Sequence, residues 1–123
     1  MSGADVPAPT EILLRKQSRQ LVVRFDDGCE FTFPCEYLRV FSPSAEVKGH
    51  GPGQQVLQVG KEQVGIDRVE PVGQYAVRLV FDDGHGTGLY SWSYLYELGR
   101  AFEHNWQSYL QALKAAGHER RTD

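Results

Sequence analysis

Hydrophobic and polar residues alternate along two stretches of the chain that resemble each other. Residues 21–25 read LVVRF and residues 75–81 read YAVRLVF, and each stretch runs into Phe-Asp-Asp-Gly, at residues 25–28 and 81–84. Alternation with a period of two is typical of a β-strand with one buried face, and Asp-Gly is a strong signal for a tight hairpin turn. The sequence therefore predicts two related β-hairpins.

Further strands, turns and helices are predicted around these hairpins. Strands are predicted at residues 11–15, 30–33, 57–59, 64–69 and 87–90, and turns at residues 60–61 and 70–73. Pro34 suits the first turn of a short helix over residues 35–41. From Leu95 to Leu113, apolar residues recur every three or four positions, which predicts an amphipathic helix that Gly99 interrupts.

These elements predict an α+β domain whose mainly antiparallel sheet is built from the two hairpins and covered by the C-terminal helix. A chain of 123 residues suits one domain with one core. We expect this single domain to span residues 10–116, between flexible tails at residues 1–9 and 117–123. Residues 42–55 are rich in Gly, Pro and Ser and predict a long loop, and loops of this length are often functional.

Charge and composition argue against several classes of partner. With 13 basic and 16 acidic residues the net charge is −3, and no basic patch favours nucleic acid. The chain has neither a spanning apolar run nor a signal-peptide pattern at its N-terminus, so we expect a cytoplasmic protein that does not bind membranes. Its two cysteines are then reduced. Cys29 shares the alternating pattern of Phe31 and Phe33 and is expected to face the core.

Two histidines are the candidate metal ligands. His50 and His85 lie in polar, glycine-rich segments where a side chain could reach solvent or a ligand. The second hairpin turn differs from the first by the residues that follow it, which indicates a binding surface made of Glu46, His50, Asp82, Asp83, His85 and Thr87. In the alternative interpretation, the two aspartates only shape the turn, as their twins at residues 26–27 do.

No spacing in the chain supports catalysis. The order and spacing of serines, histidines and carboxylates favour neither a nucleophile with its base nor an acid/base pair. No His-x-Asp or His-x-Glu pair is present for an iron oxygenase. We therefore expect a protein that is not an enzyme.

Several segments together resemble a known family. They are Leu38-Arg39, SPSAEVKGHGPGQ at residues 42–54, Gly60-Lys61, EPVG at residues 70–73 and FDDGHGTGLYSWSYLYELG at residues 81–99. They are similar to the small domain at the N-terminus of gamma-butyrobetaine hydroxylase and its relatives, in the stand-alone bacterial form long labelled a domain of unknown function.

The resemblance implies a structural zinc that this chain does not keep. In the hydroxylases, three cysteines and one histidine hold the metal, and the matching positions here are Ser42, Ser44, Val47 and His85. Serine and valine cannot replace thiolates at a structural zinc site. We expect the chain to fold without that zinc, to have no firmly predicted cofactor, and to retain at most weak metal binding.

The resemblance also implies a function. Similar domains are fused to metalloenzymes and to some Mrp-type iron–sulphur carriers, so we expect a non-catalytic accessory or interaction domain with an unidentified protein partner. The alternative is a small metal-binding protein that uses His85 together with His50. Whether the chain forms a homodimer stays open.

Overall fold

The first half of the chain forms a three-stranded antiparallel sheet. The structure is a computed structural model that describes residues 7–48 and 56–121. The strands of this sheet lie side by side in chain order: β1 (Pro9–Arg15), β2 (Gln20–Phe25) and β3 (Glu30–Pro34). Leu21 and Val23 of β2 are fully buried, and Leu21 lies opposite Phe33 of β3. The alternating residues of the first hairpin thus supply one half of the core.

The second half repeats this arrangement in a separate sheet. Its strands are also ordered as in the chain: β4 (Ile66–Val72), β5 (Ala76–Phe81) and β6 (Leu89–Ser91). Val77 and Leu79 of β5 are buried, and Val77 lies opposite the buried Tyr90 of β6. The α+β class is confirmed, with the correction that the two hairpins lie in two different sheets.

Within residues 7–48 and 56–121, four helices connect and cover the sheets. They are α1 (Cys35–Val40), α2 (Ala45–Lys48), α3 (Trp92–Arg100) and α4 (Phe102–Ala115). The hydroxyl of Ser91 accepts a hydrogen bond from the backbone N–H of Tyr94 at 3.1 Å, and this N-cap starts α3. In the described part of the chain, no helix has both the length and the apolar character needed to span a bilayer.

The core lies between the two sheets and holds α1 and α3. Two buried tyrosines link its parts: the Tyr37 hydroxyl donates to the carbonyl of Leu98 at 2.7 Å, and the Tyr90 hydroxyl donates to the carbonyl of Leu38 at 2.5 Å. Buried hydroxyl groups of this kind need partners, and here the backbone of the opposite element supplies them. These contacts fix α1 against the second sheet and α3 against α1.

Three predicted elements differ in the structure. The loop predicted at residues 42–55 contains the short helix α2, and its residues 49–55 lie outside the described part of the chain. Residues 57–59 form no strand and run without regular structure alongside α1 and α2. The strand predicted at residues 64–69 begins at Ile66 and continues through Pro71 to Val72, so the turn comes later and uses Gly73, with φ of +59°. Pro71 is tolerated because β4 is an edge strand.

The expected core position of Cys29 is wrong. Cys29 precedes β3 and is only half-buried, and its Sγ atom lies 3.5 Å from the hydroxyl of Tyr96. Its backbone N–H is bonded to the carboxylate of Asp27 at 2.9 Å, so the residue closes the turn and lies at the edge of the core rather than inside it. Cys35 at the start of α1 is buried instead, and burial raises the pKa of its thiol to about 11.

Gly99 has a packing reason within α3. A Cβ atom at this position would overlap the ring of Phe31 on the first sheet. The predicted interruption of the helix comes just after Gly99, at Ala101. Helical hydrogen bonds nevertheless continue through Ala101, because its N–H donates to the carbonyl of Glu97 and its carbonyl accepts the N–H of Asn105. The glycine therefore lets α3 approach the sheet closely rather than ending it.

The two hairpin turns are structural twins. Gly28 and Gly84 both have φ of +91°, and in each turn the preceding aspartate accepts the N–H of the residue after the glycine, at 2.9 Å for Asp27 and 3.1 Å for Asp83. A positive φ strains any residue that carries a Cβ atom. The glycines are therefore required by the backbone and not by a neighbouring side chain.

Replacing either turn glycine by alanine should lower the free energy of unfolding by about 1 kcal/mol, because the side chain opposes the left-handed backbone. Gly28→Ala and Gly84→Ala can be compared by urea denaturation with Gly86→Ala, whose Cβ would meet only ordinary contacts with Val80. Equal losses for all three variants would show that the turn conformation is not the cause.

Candidate functional site

The candidate site lies where the segment from Ser42 to α2 packs against the second hairpin turn. The Ser42 hydroxyl and His85 Nε2 are 2.8 Å apart, and His85 Nδ1 is 3.3 Å from Glu46 Oε1. The hydroxyls of Ser44 and Thr87 are 2.8 Å apart, and Thr87 donates to Glu46 Oε2 at 3.3 Å. We call Ser42, Ser44, Glu46, His85 and Thr87 the His85 cluster.

The cluster runs from the interior of the protein to its surface. Ser42 is fully buried and the His85 side chain is only 2% exposed, whereas the Glu46 side chain is 65% exposed. The expectation that His85 reaches solvent is therefore wrong. The histidine instead joins a buried serine to an exposed carboxylate.

The hydrogen bonds assign the tautomer of His85. The Ser42 oxygen accepts the backbone N–H of Ser44 at 3.2 Å and lies beside Nε2. The Glu46 carboxylate beside Nδ1 can only accept, so the proton of the neutral ring lies on Nδ1 and Nε2 accepts from the Ser42 hydroxyl. Nδ1–H then donates to the carboxylate of Glu46. Both ring nitrogens are satisfied in the neutral form.

Burial lowers the pKa of His85, and the nearby Arg39 guanidinium lowers it further, against the opposing effects of Glu46 and Asp83. Loss of solvation disfavours the imidazolium, and protonation would also remove the acceptor on Nε2 that Ser42 uses. The folded protein therefore keeps this histidine neutral.

An ionic group lies beside the cluster. Asp83 Oδ2 is 2.9 Å from both Arg39 Nε and Lys61 Nζ, and Arg39 Nη1 donates to the side chain of Gln58 at 3.1 Å. Burial raises the pKa of Asp83, but hydrogen bonds from Lys61, the His85 backbone and Arg39 outweigh it, so the pKa is lowered. Asp83 thus fixes α1 to the turn with a charge that both cations neutralise.

Gly88 lets the turn approach Ser42. A Cβ atom at Gly88 would lie 2.5 Å from the Ser42 hydroxyl and 3.3 Å from Pro43. Any other residue would push the two segments apart. The first hairpin has Cys29 and Thr32 at the positions of His85 and Gly88. It therefore lacks the two residues that bring the second turn into contact with Ser42.

The connectivity of Ser42, His85 and Glu46 is that of a catalytic triad, because one ring nitrogen faces a hydroxyl and the other a carboxylate. Catalysis by such a group also requires that the hydroxyl reach a substrate. Ser42 is fully buried, beneath Gly88 and beside the buried Tyr90. The arrangement therefore joins two segments of the fold rather than presenting a nucleophile.

The donor set does not fit the zinc that the resemblance implies. Among the four matching positions, Val47 has no donor atom, and the two serine hydroxyls are already engaged with His85 and Thr87. Within residues 7–48 and 56–121, no group of three or more His, Cys, Asp or Glu side chains is arranged to hold a metal ion. Hydrogen bonds occupy the place where thiolates would bind the metal.

The structure brings together some of the predicted site residues and separates others. Glu46, His85 and Thr87 are in contact, whereas Asp83 is turned towards Arg39. Asp82 lies on the other side of the turn, where its N–H donates to the carbonyl of Gly65. His50 lies outside the described residues, and its role as a ligand stays a prediction.

Sequence reasoning missed the residues that complete the site. Arg39 and Lys61 pair with Asp83, and Gln58 accepts a hydrogen bond from Arg39. The three residues come from different places in the chain, and no local pattern marks them as members of the site. For Ser42 and Ser44, the sequence indicates only that a thiolate is absent. Their hydrogen bonds to His85 and Thr87 depend on the packing of α2 against the turn, which no local pattern predicts.

Comparison with known proteins identifies the family. The family model described as gamma-butyrobetaine hydroxylase-like, N-terminal, matches residues 12–96. The chain belongs to this family. The match contains both sheets, apart from the first three residues of β1, and the whole His85 cluster, so the site lies within the family domain.

Solved structures of relatives share the fold of this gamma-butyrobetaine hydroxylase-like domain. Two structures determined by NMR in solution are 48% and 51% identical to it, each with a TM-score of 0.82, covering 97% and 98% of this chain and 94% and 89% of theirs. A crystal structure of a protein of unknown function from Acidithiobacillus ferrooxidans ATCC 23270, of the DUF971 family, is 41% identical with a TM-score of 0.63 and covers 74% of this chain and 91% of that one. No curated protein matches the chain.

The neutral state of His85 predicts how stability depends on pH. Its pKa in the folded protein lies below its unfolded value near 6.5, so the unfolded state binds the proton more readily. Stability from this residue is complete above about pH 6.5 and is lost as pH falls towards the folded pKa. We expect His85→Gln to reduce the change in unfolding free energy between pH 7.5 and 5, compared with the unmodified chain.

The matched control is His104→Gln, since His104 is exposed on α4. This variant should keep the pH dependence of the unmodified chain in urea denaturation at each pH. A His85→Gln variant whose pH dependence equals that of the unmodified chain would contradict the neutral assignment.

Proposed function

We propose that this domain is a non-catalytic accessory domain that binds a protein partner. Its binding face comprises α2, Thr87 of the second hairpin turn and residues 56–59. Similar domains fused to metalloenzymes and iron–sulphur carriers indicate that the partner belongs to one of these classes. Three observations support the proposal: exposed apolar side chains at residues 56–59, charged groups beside them, and hydrogen bonds that hold this segment and α2 in place.

The observation that carries the proposal is a short exposed apolar segment. Val56, Leu57 and Val59 are 52%, 37% and 39% exposed, and they follow one another in a stretch without regular structure. Single exposed apolar residues are ordinary on a protein surface, whereas a cluster of them favours an interface.

This apolar segment is held in place by its backbone. The N–H of Val56 donates to the carbonyl of Val47 in α2 at 2.8 Å, and the hydroxyl of Tyr109 donates to the carbonyl of Gln58 at 2.9 Å. The side chain of Gln58 accepts a hydrogen bond from Arg39. A surface that is ordered before it binds loses less entropy on association, which favours a specific contact.

The charges next to this segment indicate the chemistry of the partner. Glu46 is an exposed carboxylate on α2 beside this segment, whereas Asp83 is neutralised by Arg39 and Lys61. Complementary charges guide association and select partners more than they add affinity. We expect a partner surface with an apolar centre and basic residues at its rim.

The burial of the His85 cluster supports a role in positioning rather than catalysis. Its hydrogen bonds attach α2 to the turn, so the two sides of the proposed face keep a fixed relation to each other. The competing function, a small metal-binding protein using His85 and His50, would require the ring of His85 to exchange these partners for a metal ion.

The test is partner binding by the full chain. Affinity capture from the native cell followed by mass spectrometry names the candidates, and the affinity of each purified candidate is then measured by calorimetry. We expect Leu57→Ser to weaken binding about tenfold, equivalent to about 1.4 kcal/mol, while the melting temperature stays within about 2 °C.

The chain offers a matched control for this change. Leu13 on β1 is 43% exposed, which is close to the 37% of Leu57, and it lies outside the proposed face. Leu13→Ser should leave the affinity within twofold, and equal losses from Leu13→Ser and Leu57→Ser would contradict the proposed face.

The metal content of the purified protein distinguishes the proposed accessory domain from a small metal-binding protein. Elemental analysis of protein purified without an affinity tag, and melting curves with and without a strong chelator, should show no bound metal and coincident curves. About one metal ion per chain, together with a lower melting temperature in chelator and loss of the metal in His50→Ala, would favour the metal-binding protein instead.

A further inference from the structure

Arg120 is bound by an acidic side chain of α1, on a part of the protein that the proposed binding face does not use. Its Nε donates to Glu36 Oε2 at 2.8 Å and its Nη2 to Glu36 Oε1 at 2.5 Å, a two-pronged contact between a guanidinium and a carboxylate. This geometry is specific to arginine, since a lysine ammonium cannot make two parallel bonds from one planar group.

The groups that hold Arg120 belong to the packed part of the fold. The side chain of Glu36 is only 7% exposed, and the ring of Trp106 in α4 has its centre 5.1 Å from the guanidinium carbon. A buried carboxylate requires a partner, and the indole face stabilises a cation lying over it. Glu36 thus binds the N–H edge of the guanidinium, and the Trp106 ring covers its face.

A neighbouring acidic residue binds the backbone next to the arginine. The N–H of Arg121 donates to the carboxylate of Glu62 at 2.5 Å. Beside Glu36 and Glu62 lies a cavity of about 230 Å³ that Ser18 and Pro34 also line. The protein therefore recognises the side chain and the main chain of a bound segment, with room for a neighbouring residue.

The bound arginine itself lies outside the regular structure. α4 ends at Ala115, Gly117 turns the chain with φ of +81°, and residues 118–121 form no helix or strand. The Arg120 side chain is 25% exposed, against 7% for Glu36. Glu36 is held in the packed part of the fold, whereas Arg120 is on an irregular segment whose described hydrogen bonds are those of Arg120 and Arg121 and one from the His118 N–H to Leu113.

We propose that Glu36, Trp106 and Glu62 form a recognition site for an arginine side chain of a partner polypeptide, and that Arg120 occupies this site within the same chain. A tethered group competes at an effective concentration on the order of millimolar. A partner arginine therefore binds only when further contacts help it to displace Arg120, so the chain's own segment restricts access to the site.

The test uses the full chain and two small probes that differ only in the cation. Arg120→Ala removes the competing side chain, and N-acetyl-arginine methylamide or its lysine equivalent is titrated while the indole N–H signal of Trp106 is followed by NMR. We expect the arginine probe to bind Arg120→Ala at least tenfold more tightly than the unmodified chain. It should also restore the melting temperature of the variant, while the lysine probe does neither.

Two further variants keep the test decisive. Arg120→Lys leaves a cation beside Glu36 and keeps the fold intact, and here too the arginine probe should bind at least threefold more tightly than to the unmodified chain. Adding Glu36→Gln to Arg120→Ala should abolish binding of the arginine probe. Equal affinity of the probe for variant and unmodified chains, or equal effects of the two probes, would overturn the proposal.

A last arm tests the source of the arginine. Arg120→Ala has a free site and Glu36→Gln has a released Arg120, so a mixture of the two would form a complex if a second copy were the partner. We expect sedimentation to show only the separate chains. A mixed dimer would overturn the assignment to a different partner polypeptide.

Discussion

The hydrogen bond between Ser42 and His85 holds together the two segments from which the candidate site is built. It is buried, it joins the residues before α2 to the second hairpin turn, and its orientation is fixed by Ser44 on one side and Glu46 on the other. A buried hydrogen bond contributes only about 1 kcal/mol net, but leaving either partner unsatisfied costs more. The contacts of Ser44 with Thr87 and of Arg39 with Asp83 depend on the same close approach, which Gly88 permits.

The repeated hairpins could be predicted from the sequence because their information is local. Alternating residues and an Asp-Gly turn require only neighbours in the chain, and the structure has both turns with matching backbone angles at Gly28 and Gly84. The separation of the hairpins into two sheets is not local, since it depends on how Tyr37 and Tyr90 pack between them. The strand predicted at residues 57–59 is absent for the same reason. Leu57 and Val59 alternate with Gln58 as in a strand, but the hydrogen bonds of Val56 to α2 and of Gln58 to Tyr109 hold this stretch as an irregular segment.

For the site, the sequence identified the correct turn but assigned His85 to the wrong environment. Glycines and polar neighbours suggested exposure, whereas Ser42, which is distant in the chain, covers the ring. The contact between Ser42 and His85 also explains how the two hairpins differ in their packing. Both turns have the same shape, but the second also carries the histidine and the small residue that attach it to α2, and this attachment fixes one side of the proposed binding face.

A double-mutant cycle on Ser42 and His85 tests most directly whether their mutual contact stabilises the fold. The free energy of unfolding is measured by urea denaturation at pH 7.5 for the unmodified chain, Ser42→Ala, His85→Ala and the double variant. If the two side chains stabilise the fold through their mutual contact, the double variant loses less than the sum of the single variants, with a coupling energy of about 1 kcal/mol or more. Losses that add to within about 0.3 kcal/mol would contradict the account, because they would mean that the two residues act independently.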